Sequence, residues 1–206
     1  MSTQTNQTPP ADPSGGGSGY ITGFLLVATP AMPDERFRRT VIYMCRHDAD
    51  GALGLVVNRT VDDMTEADLY KQLDISPAPG ADARPVILGG PVEVQRGFVL
   101  HSGDYKREET LSLADGRMGI TGSLDIMRDM SAGTGPKQAL LTLGHSGWGP
   151  GQLDRELIDN AWLVVPTDLD LVFGGDLEGK WGRALAKVDD RLGTDPGLMS
   201  HLSGRA

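Results

Sequence analysis

The sequence predicts an α+β domain built on a mixed, mostly antiparallel sheet, and three observations predict it. Apolar runs of strand length recur from Ile21 to Pro166. Two pairs of runs are joined by short bends containing Asp50-Gly51 and Asp115-Gly116, the residues that favour a tight antiparallel hairpin. Segments of helical periodicity are few and short. A parallel pair needs a crossover of a dozen or more residues, so these hairpins disfavour a doubly wound sheet.

The elements follow in order. ITGFLLVA (21–28) is a near-continuous apolar run that stops at the Pro-containing loop TPAMPDE, as a buried strand does. TVIYMCR (40–46) and ALGLVVNR (52–59) form the first hairpin around HDADG. Thr65 opens a short helix, EADLYKQL, with Asp68 in the position that completes a capping box. Asp62, Asp63, Glu66, Asp68 and Asp74 gather around that helix and read as a solvated acidic face. PVILGG (85–90) and RGFVLHS (96–102) are strands separated by a turn at Pro91, and TLSLADGRMGIT is the second hairpin. Ser123 caps a helix with Leu124, Met127 and Met130 on one side, which Gly133 ends. QALLTLGH (138–145) is a buried strand, Pro150 begins a helix that Gln152 to Ile158 continues, and AWLVVP (161–166) is a strand. Thr167 with Asp170 makes a further cap, and Trp181, Ala184, Leu185, Val188 and Leu192 mark one face of a closing helix that Gly193 stops.

Composition bounds the function. The chain has 206 residues, 39% of them hydrophobic, enough for one sizeable core and too few for two full domains. Residues 1–19 are polar and rich in Pro, Gly and Ser and read as a disordered arm, so the domain is expected over 20–206. The arm has neither the basic start nor the apolar run of a secretory signal. A single cysteine rules out an internal disulfide framework and fits a cytoplasmic protein, and no run is long enough to span a membrane. With 28 Asp and Glu against 19 Lys and Arg the net charge is −9, which disfavours specific binding to duplex DNA. Aromatic residues are 5% and not interleaved with basic ones, so stacking on single strands is unsupported too.

The most distinctive stretch is GHSGWGPGQLDREL (144–157), in which glycines precede a helix start. Two readings stand: a tight turn packed around Trp148, or an anion site made by backbone amides at the helix N-terminus. It matches neither a Walker loop nor a dinucleotide fingerprint, and Ser146 fails the nucleophile-elbow pattern because Trp148 replaces its last glycine. His47, His101, His145 and His201 with Cys45 show no metal-ligand spacing, so no metal and no cofactor is expected. Cys45 reads as a small buried hydrophobe rather than a redox thiol. His101 reads as a hydrogen-bonded side chain at a sheet edge, and is the histidine to test first for proton transfer. No residue is assigned a catalytic role.

Four segments in combination resemble the YqgE/AlgH family of bacterial proteins: GFLLVATPAMPDERFRRTVIYMCRHDADGALGLVVNRT, LGGPVEVQRGFVLHSGDY, GITGSLDIMRDM and GWGPGQLDRELIDNAWLVVP. The resemblance covers about residues 20–190. It implies a branched sheet partly closed into a small barrel, surrounded by helices, in the bacterial cytosol. It also brings the description of a transcriptional regulator of alginate synthesis, and no established catalytic residues. Asn58, Gly89, Gly90, His101, Trp148, Gly149, Gly151 and Gln152 are the candidate ligand-binding residues, with Arg59 and Glu156 as further polar positions. Asn58 and Gln152 serve equally well as partners for buried backbone groups.

Two functions follow as expectations. The first is a non-enzymatic regulatory or interaction protein with an unidentified protein partner, acting on gene expression indirectly. The second is a protein that binds a small-molecule anion where GGPV (89–92) and GWGPGQL (147–153) meet in a shared polar cleft, with Asn58, His101 and Gln152 in reach.

Overall fold

The computed structural model describes residues 20–78 and 80–194; the arm expected over 1–19 lies outside them. Along the described chain run β1 (Phe24–Ala28), β2 (Val41–Asp48), β3 (Gly51–Val56), β4 (Thr60–Thr65), α1 (Glu66–Gln72), β5 (Pro85–Leu88), β6 (Val92–Ser102), β7 (Leu111–Leu113), β8 (Met118–Thr121), α2 (Leu124–Ser131), β9 (Ala139–Trp148), α3 (Gln152–Ile158), β10 (Trp162–Pro166), α4 (Leu169–Phe173) and α5 (Lys180–Thr194). The strands lie in the order β10-β1-β2-β3-β9-β6-β8-β7, and the sheet curls into a half-barrel with helices packed around it. The fold is the α+β class that the hairpins imply.

The sheet forks at β9. One edge of β9 pairs with β6 over Ala139–His145. Its other edge pairs in parallel with β5 at Thr142 and Leu143, then antiparallel with β3 from Ser146 to Trp148. The fork accounts for the glycines of GGPV. A Cβ on Gly89 would meet the Gly144 carbonyl oxygen at 2.4 Å, and one on Gly90 would lie 2.3 Å from the His145 carbonyl carbon. A strand leaving the edge of β9 just where another joins it brings backbone against backbone, and only glycine leaves room.

Alternation along the strands builds two cores. Leu25 and Val27 of β1, with Tyr43, Leu55 and Leu100, fill the inside of the curl, where α4 and α5 close it with Leu171, Val172 and Ala184. Leu26 and Ala28, with Ile42, Met44, Trp148 and Trp162, pack on the outside under Leu153 of α3. Burial on both faces explains why β1 is apolar at successive positions. A third core seats α1 and α2 on β5, β6 and β9 through Tyr70, Ile126, Val86, Val99 and Leu141.

Several expectations change. Strand β4 (TVDDMT) was not anticipated: its polar residues show no alternation, and it pairs with β5 only at Thr60 and Thr65. Strand β9 runs three residues past His145, so Ser146, Gly147 and Trp148 are strand rather than loop. Helix α3 starts at Gln152 after Gly151, not at Pro150. Thr65 and Asp68 form the expected reciprocal capping box, but Glu66 beside them is buried and not part of a solvated face. Ser123 occupies the N-cap of α2 without a side-chain cap bond. Asp168, not Thr167, caps α4, because the Thr167 hydroxyl donates to the Gly23 carbonyl. Helix α5 continues through Gly193, and the Leu192 side chain lies outside the described ones. Gly133 follows α2 with φ +76, the conformation expected of a helix-ending glycine.

Candidate functional site

At the end of β9 the WGPGQ segment is knotted to α3 and β10. The Trp148 and Trp162 indole N–H groups both donate to Glu156 Oε2 at 2.8 Å, and the rings meet edge to face with centroids 6.0 Å apart. Gln152 donates to Glu156 Oε1 at 2.9 Å and accepts the Gly149 N–H at 3.1 Å. Phe37 lies against both indoles. One carboxylate thus satisfies two buried donors from two strands, a local reason for the spacing from Trp148 to Glu156 to Trp162. Gly151, at φ +65, supplies the left-handed residue before α3. Asp154 in the first turn places a negative charge beside the free amides there.

The other candidates lie elsewhere. Asn58 accepts the Val41 N–H at 2.8 Å and donates to the Arg39 carbonyl at 2.9 Å, bridging backbone at the start of β2. Arg59 donates to the Arg38 carbonyl at 2.6 Å. His101 is fully buried between β8 and β9, within the sheet rather than at its edge. Its Nε2 bonds Thr121 Oγ1 at 3.0 Å and its Nδ1 the Ser102 carbonyl at 2.9 Å, and burial pushes its pKa down. It pairs with Ala139, nine residues before Trp148, about 30 Å along an extended strand. His101 is therefore not in reach of the α3 start, and both hydrogen bonds of Asn58 are spent on backbone. GGPV and β9 do come together, with the Ser146 hydroxyl 3.4 Å from the Gly89 carbonyl, but in direct backbone contact rather than across a polar cleft. Cys45 is buried as expected, and burial pushes its thiol up to about 12.

The surface that the structure opens is one the sequence reading passed over. Between the pairs Val92↔His145 and Gly97↔Leu143, the four residues Glu93–Arg96 of β6 face Gly144 alone. The extra residues arch outward as a bulge, with Glu93 at φ +47. Gly144, at φ +72, lies directly beneath: a Cβ there would meet the Gly90 carbonyl oxygen at 2.5 Å and the Val94 Cα at 3.2 Å. Gly90 and Gly144 together let the bulge form.

This bulge walls two concavities. Inside the mouth of the half-barrel, Cys45, Leu53, Phe98, Leu111 and Ile120 floor a concavity of about 550 Å³ whose rim carries Arg46, Arg96 and Glu109. Across Phe98, a groove of about 170 Å³ runs between α1, α2 and the sheet past Gln95, Leu69, Leu124 and Met127. Val92, Val94, Leu111 and Leu124 are exposed around them, Val94 by 50% and Leu111 by 55%. The Arg96 guanidinium lies 5.1 Å over the Phe98 ring and pairs with Glu93 at 3.1 Å. His145 sits below, edge-on to Phe98, its Nδ1 without a hydrogen-bond partner. In the sequence the only signals were two apolar residues in the run PVEVQRG, too little to distinguish a bulge from a turn.

The fold is thus an α+β one, a forked sheet curled into a half-barrel with helices around it. The AlgH-like family model (DUF179) matches residues 25–193, and the chain belongs to that family. It is 48% identical over 188 residues to a UPF0301 protein of Rhodospirillum rubrum, covering 91% of this chain and 95% of that one. It is 46% identical to a UPF0301 protein of Nitrobacter hamburgensis, over 99% of this chain and 96% of that one. The solution structure of the AlgH protein from Pseudomonas aeruginosa superposes with a TM-score of 0.72 at 35% identity, over 97% and 98% of the two chains. The resemblance read from the sequence motifs is thereby shown, and the family's function is uncharacterised. No helix of the described residues is long and apolar enough to cross a membrane.

Proposed function

We propose that this protein acts by binding, as a cytoplasmic regulatory or interaction protein whose partner docks on the β6 bulge and the half-barrel mouth. The observation that carries the reading is the exposure of Val92 and Val94 on one strained bulge that walls two concavities, one lined by the exposed Leu111 and the other by the exposed Leu124. Contiguous exposed apolar side chains rimmed by charge are the mark of an interaction surface. Arg46 and Arg96 favour a partner that brings carboxylates beside its apolar residues. Any effect on transcription runs through that protein contact rather than through operator binding. Net charge −9 supports this, as do the ion pairs that Arg36 and Arg38, in the most basic local run, make with Asp34 and Glu35.

Proximity labelling in living cells, comparing wild type with Val94→Asp and Leu111→Asp, tests the reading. The expected result is a discrete set of proteins labelled by wild type and lost with both variants while their thermal stability is kept. Identical labelling by all three overturns it. Binding of a small anion by the amides at the start of α3 is the second reading, with Asp154 opposing it and GGPV taking no part. It predicts a phosphate- or carboxylate-dependent rise in melting temperature that Gln152→Ala removes.

A further inference from the structure

His145 lies on β9 beneath the β6 bulge, directly across from Val92, with its side chain 13% exposed. One edge of the ring, with Nε2, faces the exposed Gly147, whose added Cβ would lie 3.8 Å from it. The other edge holds Nδ1, buried and without a hydrogen-bond partner. Glu93 Oε2 stands 3.9 Å from that nitrogen, too far for a hydrogen bond, and accepts instead from Arg96 at 3.1 Å. A neutral imidazole carries one N–H and one lone pair. With the proton on Nε2 at the open edge, the Nδ1 lone pair confronts a carboxylate, which explains why the two stand apart. Protonation turns Nδ1 into a donor and reverses the sign of that contact.

We propose that His145 is a proton-operated latch on the β6 bulge: once protonated, it draws the Glu93 carboxylate inward onto Nδ1 and off Arg96, and the arch Glu93–Arg96 closes on β9. The charged groups that act on the ring are Glu93 and Arg96, both of β6. On the other side of β9, β3 and the segment after β5 bring Gly54, Gly89 and Gly90. Three features make the arch the part that moves. Its four residues face Gly144 alone and so lack a full ladder of sheet bonds. The side chains of Glu93 and Arg96 are 51% and 63% exposed, so moving them costs little burial. Glu93 is held at φ +47, a conformation that a residue other than glycine gives up readily. Burial holds the ring below the ordinary histidine value, Glu93 opposes that and Arg96 adds to it, which sets the latch to close in mildly acidic solution. Once off Glu93, Arg96 also loses its anchor over Phe98, the ring that lines both concavities. One consequence rests on the docking reading: acid frees a guanidinium at the mouth and adds an imidazolium beneath it, which favours a partner's carboxylates. The latch itself needs no partner.

The test is an NMR titration of the uniformly labelled full chain alone, from about pH 8 to about pH 5, the range in which histidines change charge. The amides of Val94, Gln95 and Arg96 are expected to shift with the midpoint of the His145 ring. Nuclear Overhauser contacts between Arg96 and Phe98, present at the alkaline end, are expected to fade with that same midpoint. A fixed arch would shift its amide signals through the field of the new charge but keep those contacts. Glu93→Gln, at an exposed position where folding is not at stake, is expected to lower the ring midpoint by about 0.5 pH unit, the scale of one solvated charge about 4 Å away, and to uncouple the Arg96–Phe98 contacts from pH. Arg96→Gln is expected to raise the midpoint. His145→Gln keeps a neutral side chain of similar size and is expected to leave the arch amides flat. Retention of the Arg96–Phe98 contacts at the acid end, a ring midpoint unchanged in Glu93→Gln, or arch amides that still titrate in His145→Gln with the wild-type midpoint would each overturn the proposal. Since no partner is present, a failure here leaves the docking reading standing, and a failure of the labelling experiment leaves the latch standing.

Discussion

Two regions of this molecule touch β9, and they use their residues in opposite ways. At the Trp148 end the most distinctive motif of the sequence is spent on itself: Glu156 holds two indoles, Gln152 holds Glu156, and the Gly149 amide holds Gln152. Beside Gly144 an undistinguished stretch, VEVQR, leaves the sheet and exposes Val92 and Val94. A rare motif is thus explained by an architectural need, and a plain one by an exposed surface. Residues held by several simultaneous bonds tolerate few replacements whatever the protein does, so distinctiveness of sequence is a poor guide to where it binds.

The sharpest way to break the comparison is to deny the bulge its glycine. Gly90 has φ +153 and its added Cβ would lie 2.3 Å from the His145 carbonyl, so Gly90→Ala is expected to cost about 3 kcal/mol or more in urea unfolding, the range for backbone strain with overpacking. A loss below about 1 kcal/mol would mean that the fork relaxes freely and that the bulge is not held in place by this contact.

Next comes the knot. Glu156→Ala leaves two buried indole donors unsatisfied and is expected to cost about 2–4 kcal/mol, while Glu156→Gln, which keeps an acceptor, costs about half as much. Equal losses in the two variants would show that packing rather than hydrogen bonding governs this end of β9. Indole side-chain N–H signals give a direct reading at each tryptophan.

How much was legible in the sequence follows from the range of the forces. The hairpins at Asp50-Gly51 and Asp115-Gly116 and the Thr65–Asp68 capping box are settled within a few residues, and all could be read. The fork at β9 depends on β3, β5 and β6, which lie roughly 40 to 90 residues earlier, so Gly89, Gly90 and Gly144 looked like turn glycines or ligand contacts. Asn58 was legible only as a pair of alternatives, and its two bonds are to backbone. The bulge was illegible because nothing local marks Glu93 for a positive φ. Glu66 was misread for a related reason: five acidic residues near one helix look alike in sequence, and only the fold turns one of them inward beside Arg84.

A smaller effect separates the buried interior from the surface by pH. Lys180 is fully buried, its ammonium donates to the Val57 and Val172 carbonyls, and desolvation lowers its pKa to about 8. Its unfolded value is higher, so between these values the unfolded chain binds more protons and stability rises with pH. From pH 8 to 10 the expected Lys180 contribution is a gain of about 2 kcal/mol, read as the difference between wild type and Lys180→Met. The raised pKa values of buried Cys45, within this interval, and of Tyr43 and Tyr70, above it, act in the opposite sense in both proteins and cancel in that difference. A flat difference would show that the two carbonyls hold the charged form as well as water does.

The smallest expected effect is the one that defines the exposed region. Val94 and Leu111 are half exposed and hold no core position, so Val94→Asp and Leu111→Asp are expected to change unfolding free energy by no more than about 0.5 kcal/mol, as for ordinary surface positions. Both substitutions replace exposed apolar area with charge on a surface whose arginines already face solvent, at Arg46 and Arg96. If either variant instead loses about 2 kcal/mol, its side chain is closing the half-barrel mouth rather than offering itself to a partner. The bulge would then belong with the tryptophan knot as architecture, and the contrast between the two regions would disappear. If both variants keep their stability, the exposed apolar residues contribute nothing to folding that a carboxylate cannot replace, and the reason for keeping them must lie in what they contact outside this chain.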